Sequence, residues 1–329
     1  MSIDSSPRVS SESKASAPSK GSATKGSIAG RLFQALATGA GLTILLVLAA
    51  VAGFLIWQAW PALTASNEEL QKISWFKADS LLGYIGPLIF GTLLASIIAL
   101  LIAVPLSVGI ALFISHYAPR KLAQPLGYVI DLLAAIPSVV YGLWGALWLA
   151  PNLDPIFNWM TSSLGWIPIF AGYQPPAKNI LAASTVLAVM ILPIITAVTR
   201  EVFLQTPRLH EEAALALGST RWEMVRLAVI PFGRSGVISA SMLGLGRALG
   251  ETMAVLMILS PGFLYSFFVL KPGQHQTIAA NIASKFPEAS GLAVSTLVAT
   301  GLALFVITFV VNMFARWIVS RRKEFSGAN

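Results

Sequence analysis

Long apolar runs alternate with shorter polar segments along the chain, and polar residues concentrate at its two ends and in one central segment. Six runs are long and apolar enough to cross a hydrocarbon core of about 30 Å as helices. They cover approximately Gly39–Trp60, Tyr84–Tyr117, Leu126–Leu149, Ile180–Thr199, Val237–Leu259 and Gly291–Val311. The pattern predicts an all-α membrane protein with six transmembrane helices.

Two of the runs depart from a simple span. The second has no Asp, Glu, Lys or Arg between Asp79 and Arg120 and exceeds the length that a bilayer requires, so we expect it to tilt or to bend at Pro105. The third is interrupted by Asp131 and Pro137. Asp131 lies near the start of its span, where a carboxylate can reach the interface or pair with an arginine.

A shorter apolar segment, Phe263–Leu270, follows the fifth run. Its eight residues are too few to span a bilayer. It is predicted to be an interfacial or re-entrant segment or a loop packed on the protein's own spans.

Composition supports the membrane assignment. Hydrophobic residues make up 56% of the chain and charged residues 11%, with a mean hydropathy of +0.75, whereas a soluble domain carries about 25% charged residues. The net charge is +8, but the basic residues flank apolar runs, so the expected surroundings are membrane lipid and not nucleic acid. The chain has no cysteine and no helix-spaced histidine pair, so we expect neither a metal nor another cofactor bound by this chain.

The distribution of basic residues predicts the orientation. With both termini on one side, that side receives 16 of the 22 lysines and arginines, the opposite side receives five, and Arg247 lies within the bilayer. Both termini are therefore predicted to be cytoplasmic, in a multi-pass protein of the inner (cytoplasmic) membrane.

The expected organisation has four parts. A disordered cytoplasmic tail occupies 1–30, because its Ser, Ala, Lys and Gly residues bury too little apolar surface to offset the entropy of ordering. The first transmembrane helix and an external loop occupy 31–83. A core of five transmembrane helices occupies 84–318 and contains a cytoplasmic loop at 200–230, and a basic cytoplasmic C-terminus occupies 319–329.

The cytoplasmic loop predicts a helix–turn–helix at the membrane surface. Thr206 and Pro207 are predicted to cap and begin its first helix, and Gly218 is predicted to end that helix in a left-handed conformation. Ser219 and Thr220 can cap a second helix that runs from Arg221 towards Pro231. The first helix carries Glu211 and Glu212 near its start, where the helix dipole favours acidic residues. An exposed alanine-rich face follows them on the same helix.

Two charges lie inside the fifth apolar run. An arginine at the centre of a transmembrane helix raises the free energy of membrane insertion by about 2.5–3.5 kcal/mol, so we expect Arg247 to have a specific structural or functional role. Arg247 and Glu251 are four residues apart, share one face of a continuous helix and can pair. Gly246 and Gly250 beside them allow a second helix to approach closely.

The chemistry of these charges suits an oxyanion. The guanidinium of Arg247 can donate two parallel hydrogen bonds to phosphate. Glu251 can orient that arginine, or accept a hydrogen bond from a protonated phosphate, which sulfate lacks at neutral pH. We expect Arg247, Glu251 and Thr252 to line a substrate pathway; the alternative is a buried ion pair that holds two subunits in register.

The central segment also carries a known pattern. Glu212-Ala213-Ala214, then Gly218, then Ile230-Pro231 resemble the EAA loop of ABC importer permeases, E-A-A-x3-G-x9-I-x-L-P, with departures at Ala228 and Ile230. The resemblance implies a type I, MetI-like permease fold. It also implies that the loop inserts into a groove on a separate ATPase, through the residues Glu211, Glu212, Ala213, Ala214 and Gly218. The alternative is an ordinary pair of surface helices joining two spans.

Further stretches narrow the resemblance. Arg200–Phe203, Gln205–Pro207 and Gly244–Met253 resemble the phosphate-specific, PstC-type branch of that family. The resemblance implies a transporter subunit without catalytic residues, in a heterodimer with a PstA-type permease. A PstB-type ATPase dimer would use ATP and Mg, and a PstS-type external protein would deliver phosphate. The chain contains no G-x-x-x-x-G-K-[ST] motif, so ATP hydrolysis is expected in another subunit.

Three other functions compete with phosphate import. A permease for another oxyanion, molybdate or sulfate, would share the cytoplasmic loop. A secondary carrier would require coupling-ion carboxylates and internal inverted repeats, and neither is evident in the sequence. A membrane scaffold or sensor component would transport nothing.

Overall fold

The computed structural model describes residues 28–323, and all regular structure in that range is helical. The helices are α1 (Ile28–Thr64), α2 (Asn67–Gln71), α3 (Leu81–Leu112), α4 (Arg120–Ala134), α5 (Ser138–Trp144), α6 (Ala150–Leu164), α7 (Ile180–Leu204), α8 (Arg208–Ala216), α9 (Arg221–Met224), α10 (Ile230–Leu249), α11 (Met253–Ile258), α12 (Ile278–Lys285) and α13 (Leu292–Lys323). The prediction of an all-α protein is confirmed.

The apolar runs correspond to membrane-spanning lengths of helix. Within the described range, five helical stretches are each long and apolar enough to cross a membrane on their own: Leu32–Thr64, Leu81–Tyr117, Ile180–Leu204, Arg221–Leu249 and Leu292–Trp317. A sixth is formed by Arg120–Ala134 and Ser138–Leu164 together, which are bent by 90° at the break between them. The six predicted spans are therefore present if the bent pair counts as one span.

The chain divides into two units, one up to Val51 and one from Ala52. Of the predicted disordered tail, residues 1–27 lie outside the described part, and α1 already begins at Ile28. Residues 324–329 of the predicted basic C-terminus also lie outside it, whereas α13 continues as helix to Lys323.

Small side chains on α3 allow it to pack closely against α7 at the centre of the second unit. Ala95, Ala99 and Ala103 are spaced by one turn and are fully buried, as are large residues of α7 such as Ile191. Small residues at such spacing let helix backbones approach in a membrane, where dispersion contacts replace the hydrophobic effect. The hydroxyl of Ser107 adds a hydrogen bond to the carbonyl of Leu192, at 3.1 Å.

The segment between α11 and α12 forms an extended hairpin packed on the protein's own helices, which was one of the expected arrangements. The amide of Gly262 donates to the carbonyl of His275 at 3.0 Å, and that of Leu264 donates to Gln274 at 3.1 Å. At the start of α7, the side-chain amide of Asn179 donates to the carbonyl of Leu270 at 3.0 Å. These bonds pair part of the hairpin's backbone within the protein, without a wider sheet.

The residues after the hairpin attach α12 to α3 through buried polar contacts. The hydroxyl of Thr92 accepts a hydrogen bond from the amide of Ile278 at 3.0 Å, and the Asn281 amide donates to the hydroxyl of Tyr84 at 2.8 Å. Gly91 precedes Thr92 and lies so close to this segment that a Cβ there would overlap the carbonyl oxygen of Gln276. Glycine at position 91 is therefore required for the close approach.

We predict that Gly91→Ala lowers the melting temperature of the purified protein, measured by tryptophan fluorescence in detergent. The added methyl group must displace a backbone carbonyl, and overpacking of this kind costs about 1–3 kcal/mol. Gly109→Ala is the matched control, because Gly109 is also in α3 but has open space where its Cβ would stand. Equal melting temperatures for the two variants would contradict the docking of residues 276–278 on α3.

Candidate functional site

The fifth span is interrupted where its charged residues lie. α10 ends at Leu249 and α11 begins at Met253, so the continuous helix expected over Val237–Leu259 is not formed. Glu251 provides the physical reason, because its Oε1 accepts a hydrogen bond from the amide of Ala254 at 3.0 Å. A side-chain acceptor at this position satisfies an amide that has no partner at the start of a helix.

The break changes the relation between the two charges. Glu251 is 7% exposed and turns towards α11, while Arg247 is half-buried in the last turn of α10, where the helix dipole favours a cation. In the part of the chain that the structure describes, Arg247 and Glu251 do not form an ion pair. The expectation that they share the face of one helix and pair was therefore wrong, while their role in a pathway stays a prediction.

A second break interrupts the third span. α4 ends at Ala134 and α5 begins at Ser138, with Pro137 between them, so the single span expected over Leu126–Leu149 is replaced by two helices bent by 90°. Proline lacks an amide hydrogen and disfavours helical geometry in the residue before it. The hydroxyl of Tyr141 donates to the carbonyl of Leu133 at 2.9 Å and so connects the two sides of the break.

The helices that follow the two breaks pack against each other. Gly142 in α5 faces α11 so closely that a Cβ would lie 2.9 Å from the Cα of Ala254. The three predicted pathway residues, Arg247, Glu251 and Thr252, therefore lie where two interrupted helices meet, and the hydroxyl of Thr252 donates to the carbonyl of Gly250 at 3.2 Å. Membrane transporters commonly use interrupted helices to present polar groups to a substrate.

One face of α10 beside this junction is uncovered by the described residues. Gly246 is exposed, with no atom within 4 Å of where its Cβ would stand, and the nearest atom for Gly250 is the carbonyl oxygen of Gly246 itself, at 3.8 Å. Gly244 differs, because it packs closely against Ile195 of α7. The predicted glycine seam therefore has space for a helix from another chain.

The loop at 200–230 has the two helices and the turn between them that were expected. Gly218 has φ of +83°, the left-handed conformation predicted for the end of α8. Thr220 and Glu223 form a reciprocal capping box at the start of α9. These contacts fix the turn between the two helices.

Two details of the loop differ from expectation. α8 begins at Arg208 after Pro207, without a side-chain cap, and Thr206 is buried at 5% exposure instead of capping the helix. The second helix does not end near Pro231 but continues into α10. A π-helical turn at Val225–Val229, in which the amide of Ile230 bonds the carbonyl of Val225, precedes the proline and lets the helix pass.

The predicted coupling residues divide between two faces of α8. Glu212, Ala213 and Gly218 are exposed. Glu211 and Ala214 are partly buried: Glu211 lies 3.4 Å from Nε2 of His116, and Ala214 packs on a cluster beneath α8.

One leucine of the outer face, Leu209, was missed, whereas Leu217 belongs to the apolar surface that was expected after Glu212. Leu209 and Leu217 are 76% and 88% exposed. The signal for Leu209 was its position one helical turn before Ala213, where the alanine-rich stretch begins. Exposed apolar side chains of this kind are typical of a surface that a partner covers.

Comparison with known proteins assigns the fold and the family. The family model described as "Binding-protein-dependent transport system inner membrane component" matches residues 103–324. The chain belongs to this family. A member in Mycobacterium tuberculosis, strain H37Rv, named "Phosphate transport system permease protein PstC 2", is 47% identical over 88% of this chain and 91% of its own length. A Mesorhizobium japonicum member, named "Phosphate transport system permease protein PstC", is 41% identical over 90% of this chain and 92% of its own length.

Solved structures with the same fold are more distant in sequence. A chain of a bacterial alginate ABC transporter, in complex with an alginate-bound periplasmic protein, superposes with a TM-score of 0.59 at 16% identity, over 88% of this chain and 94% of that chain. A chain of the MetNI methionine ABC transporter superposes with a TM-score of 0.50 at 15% identity, over 73% and 95%. The predicted MetI-like fold of a binding-protein-dependent permease is confirmed.

We predict that Glu251→Ala lowers the melting temperature, because the amide of Ala254 loses its acceptor inside the protein. Loss of a helix-capping acceptor costs about 0.5–2 kcal/mol. Glu251→Gln retains an oxygen acceptor and removes only the charge, so its melting temperature should stay close to that of the wild type. Tryptophan-fluorescence melts of the three proteins in detergent measure the difference, and a wild-type melting temperature for Glu251→Ala would contradict the capping role.

Proposed function

We propose that this chain is the transmembrane permease subunit of an ATP-driven importer of inorganic phosphate and forms half of the translocation pathway. The observation that carries the proposal is the half-buried Arg247 at the junction of two interrupted helices. The names of the relatives described above support phosphate as the substrate.

The chemistry of the junction favours phosphate over other oxyanions. The guanidinium of Arg247 donates hydrogen bonds to any tetrahedral anion. Glu251, in the break that follows the helix of Arg247, is a buried carboxylate. At neutral pH phosphate retains a proton that it can donate to a carboxylate, whereas sulfate does not, so a carboxylate near the anion discriminates against sulfate.

The uncovered faces indicate the assembly. The open face of Gly246 and Gly250, at the end of α10, suits a second permease subunit, which we propose to be PstA-type. The exposed face of α8 suits a PstB-type ATPase dimer, which would bind the ATP and Mg, so this chain needs no cofactor of its own. A PstS-type protein would deliver phosphate from outside, with both termini of this chain in the cytoplasm and the chain in the inner membrane.

The continuous helix from Arg221 to Leu249 connects the two functional regions. It begins beside α8 and ends at the break that follows Arg247. When ATP closes the ATPase dimer, a displacement of α8 is carried along this helix to the junction, because a helix transmits axial and tilting motion with little deformation. The junction then opens to the outside, and the binding protein releases phosphate into it.

We predict that Arg247→Gln lowers phosphate uptake at least about tenfold, the effect of losing one charge-assisted hydrogen bond to the anion. The measurement is ATP-dependent uptake of radiolabelled phosphate into proteoliposomes that contain this chain, the second permease, the ATPase and the binding protein. Excess unlabelled sulfate or molybdate serves as competitor and should leave uptake unchanged. Arg234→Gln is the control, because Arg234 is an exposed arginine on the same helix.

Each contrary outcome would change a different part of the proposal. Wild-type uptake by a correctly assembled Arg247→Gln protein would remove the arginine from the pathway. Competition by sulfate or molybdate would assign another oxyanion. Phosphate uptake without the ATPase would indicate a secondary carrier.

We further predict that Leu217→Asp reduces co-purification of the ATPase with the permease by about tenfold, since a charge is placed where the partner buries an apolar side chain. Leu217 is 88% exposed, so the melting temperature of the isolated chain should not change. Leu217→Met keeps the apolar surface and should retain the ATPase. Normal ATPase binding by Leu217→Asp would show that this part of α8 lies outside the interface.

A further inference from the structure

A cavity of about 540 Å³ lies at the edge of α8, away from the junction of the two interrupted helices. It is formed by the end of the second span, the first turns of α4, the end of α7 and the start of α8. Three arginines line it, Arg120, Arg200 and Arg208. They are contributed by three different helices, so the cluster exists only in the folded chain.

The charge of this cavity is not balanced by pairing. Two carboxylates, Asp131 and Glu211, also line it, but Glu211 lies against His116 at 3.4 Å. Among the residues that the structure describes, none of the three arginines has a carboxylate within 4.0 Å. Three arginines therefore line one concave surface without a carboxylate in contact with them, an arrangement that attracts an anion.

Unpartnered polar groups point to the same ligand. Thr206 is 5% exposed, yet its hydroxyl has no hydrogen-bond partner, and Nε of Arg200 also lacks one. A buried polar atom without a partner costs about 1–3 kcal/mol, so such atoms are normally satisfied by a ligand or by water. A tetrahedral oxyanion would accept hydrogen bonds from both groups.

The backbone adds further donors at this cavity. α4 begins after Pro119 and α8 begins after Pro207, and neither helix start has a side-chain cap. The third amide of each helix, at Leu122 and at His210, bonds the carbonyl of the preceding proline, so the first two amides of each helix are left for an external acceptor. The two helix dipoles favour a negative charge there. The helices have 15 and 9 residues, so each has a full N-terminal turn.

The position of Arg200 depends on a glycine that faces it. A Cβ on Gly127 of α4 would overlap the Nη1 atom of Arg200. The missing side chain leaves room for the guanidinium between α4 and α7, at the wall of the cavity. A substitution at Gly127 can therefore move the guanidinium without changing any charge.

We propose that this cavity binds one tetrahedral oxyanion of the phosphate class, which bridges α4, α7 and α8. Arg120, Arg200 and Arg208 supply the charge, and the hydroxyl of Thr206 supplies a neutral donor. The ligand is either free inorganic phosphate or the phosphate of a lipid head group, since both present the same acceptor oxygens. A bound oxyanion would join α8 to the transmembrane helices beside it.

The test is isothermal titration of inorganic phosphate into the purified full-length chain, delipidated in a non-ionic detergent at fixed ionic strength. All proteins carry Arg247→Gln, so that the proposed pathway residue does not contribute and the result is independent of phosphate transport. We expect one phosphate per chain, with affinity lowered about tenfold by Arg200→Gln and less by Thr206→Val. Arg234→Gln, outside the cavity, should change affinity less than about twofold.

Gly127→Ala separates position from charge and from folding. It keeps every arginine and favours helix, and the atom it displaces is the end of a flexible side chain, so the protein should fold normally. We expect its phosphate affinity to fall although its melting temperature does not. Wild-type affinity in this variant would contradict the assigned position of Arg200.

A second arm distinguishes the source of the oxyanion. The chain is placed in phosphatidylglycerol nanodiscs, and retained lipid is counted by native mass spectrometry. One tightly retained lipid that is lost with Arg200→Gln, together with loss of phosphate binding in the nanodiscs, would assign the site to a lipid head group. Phosphate binding that persists there would assign it to free phosphate. The proposal would be overturned if the chain bound no phosphate and also retained no lipid in a way that depends on Arg200.

Discussion

The structure depends on one constraint, that backbone amides and carbonyls inside a bilayer must find hydrogen-bond partners within the protein. A helix meets this constraint everywhere except at its ends. The chain nevertheless interrupts two of its spans, at Ala135–Pro137 and at Gly250–Thr252, and each interruption carries a replacement partner. The hydroxyl of Tyr141 donates a hydrogen bond to the carbonyl of Leu133, and the carboxylate of Glu251 accepts one from the amide of Ala254.

These replacements also explain why the breaks meet. An interrupted helix exposed to lipid would leave further groups unsatisfied, whereas two interruptions packed together exclude lipid from both. The close contact between Gly142 and Ala254 brings α5 against α11. Arg247 lies in the last turn of α10, where the negative end of the helix dipole lowers the cost of its charge. The polar junction is thus a consequence of satisfying the backbone, and it is also the place where we propose that phosphate is recognised.

The transmembrane helices were predictable because hydropathy over about twenty residues reports directly on insertion into a bilayer. The turn at Gly218 and the caps at Thr220 and Glu223 were predictable because they follow from local chemistry. The break at Glu251 was not. A spacing of four residues from Arg247 indicates an ion pair if the helix continues, and nothing in the local sequence shows that the carboxylate bonds an amide ahead of it.

The coupling region shows the same division between local and tertiary information. Its motif predicted a loop that contacts a partner, but not that the helix after it runs without interruption to the junction. Pro231 suggested an end to that helix, and the π-helical turn before it removed the conflict. Thr206 suggested a cap, but its burial leaves the start of α8 open and its hydroxyl free. The three arginines beside it are spread between positions 120 and 208, so only the packing of α4, α7 and α8 makes them one cluster.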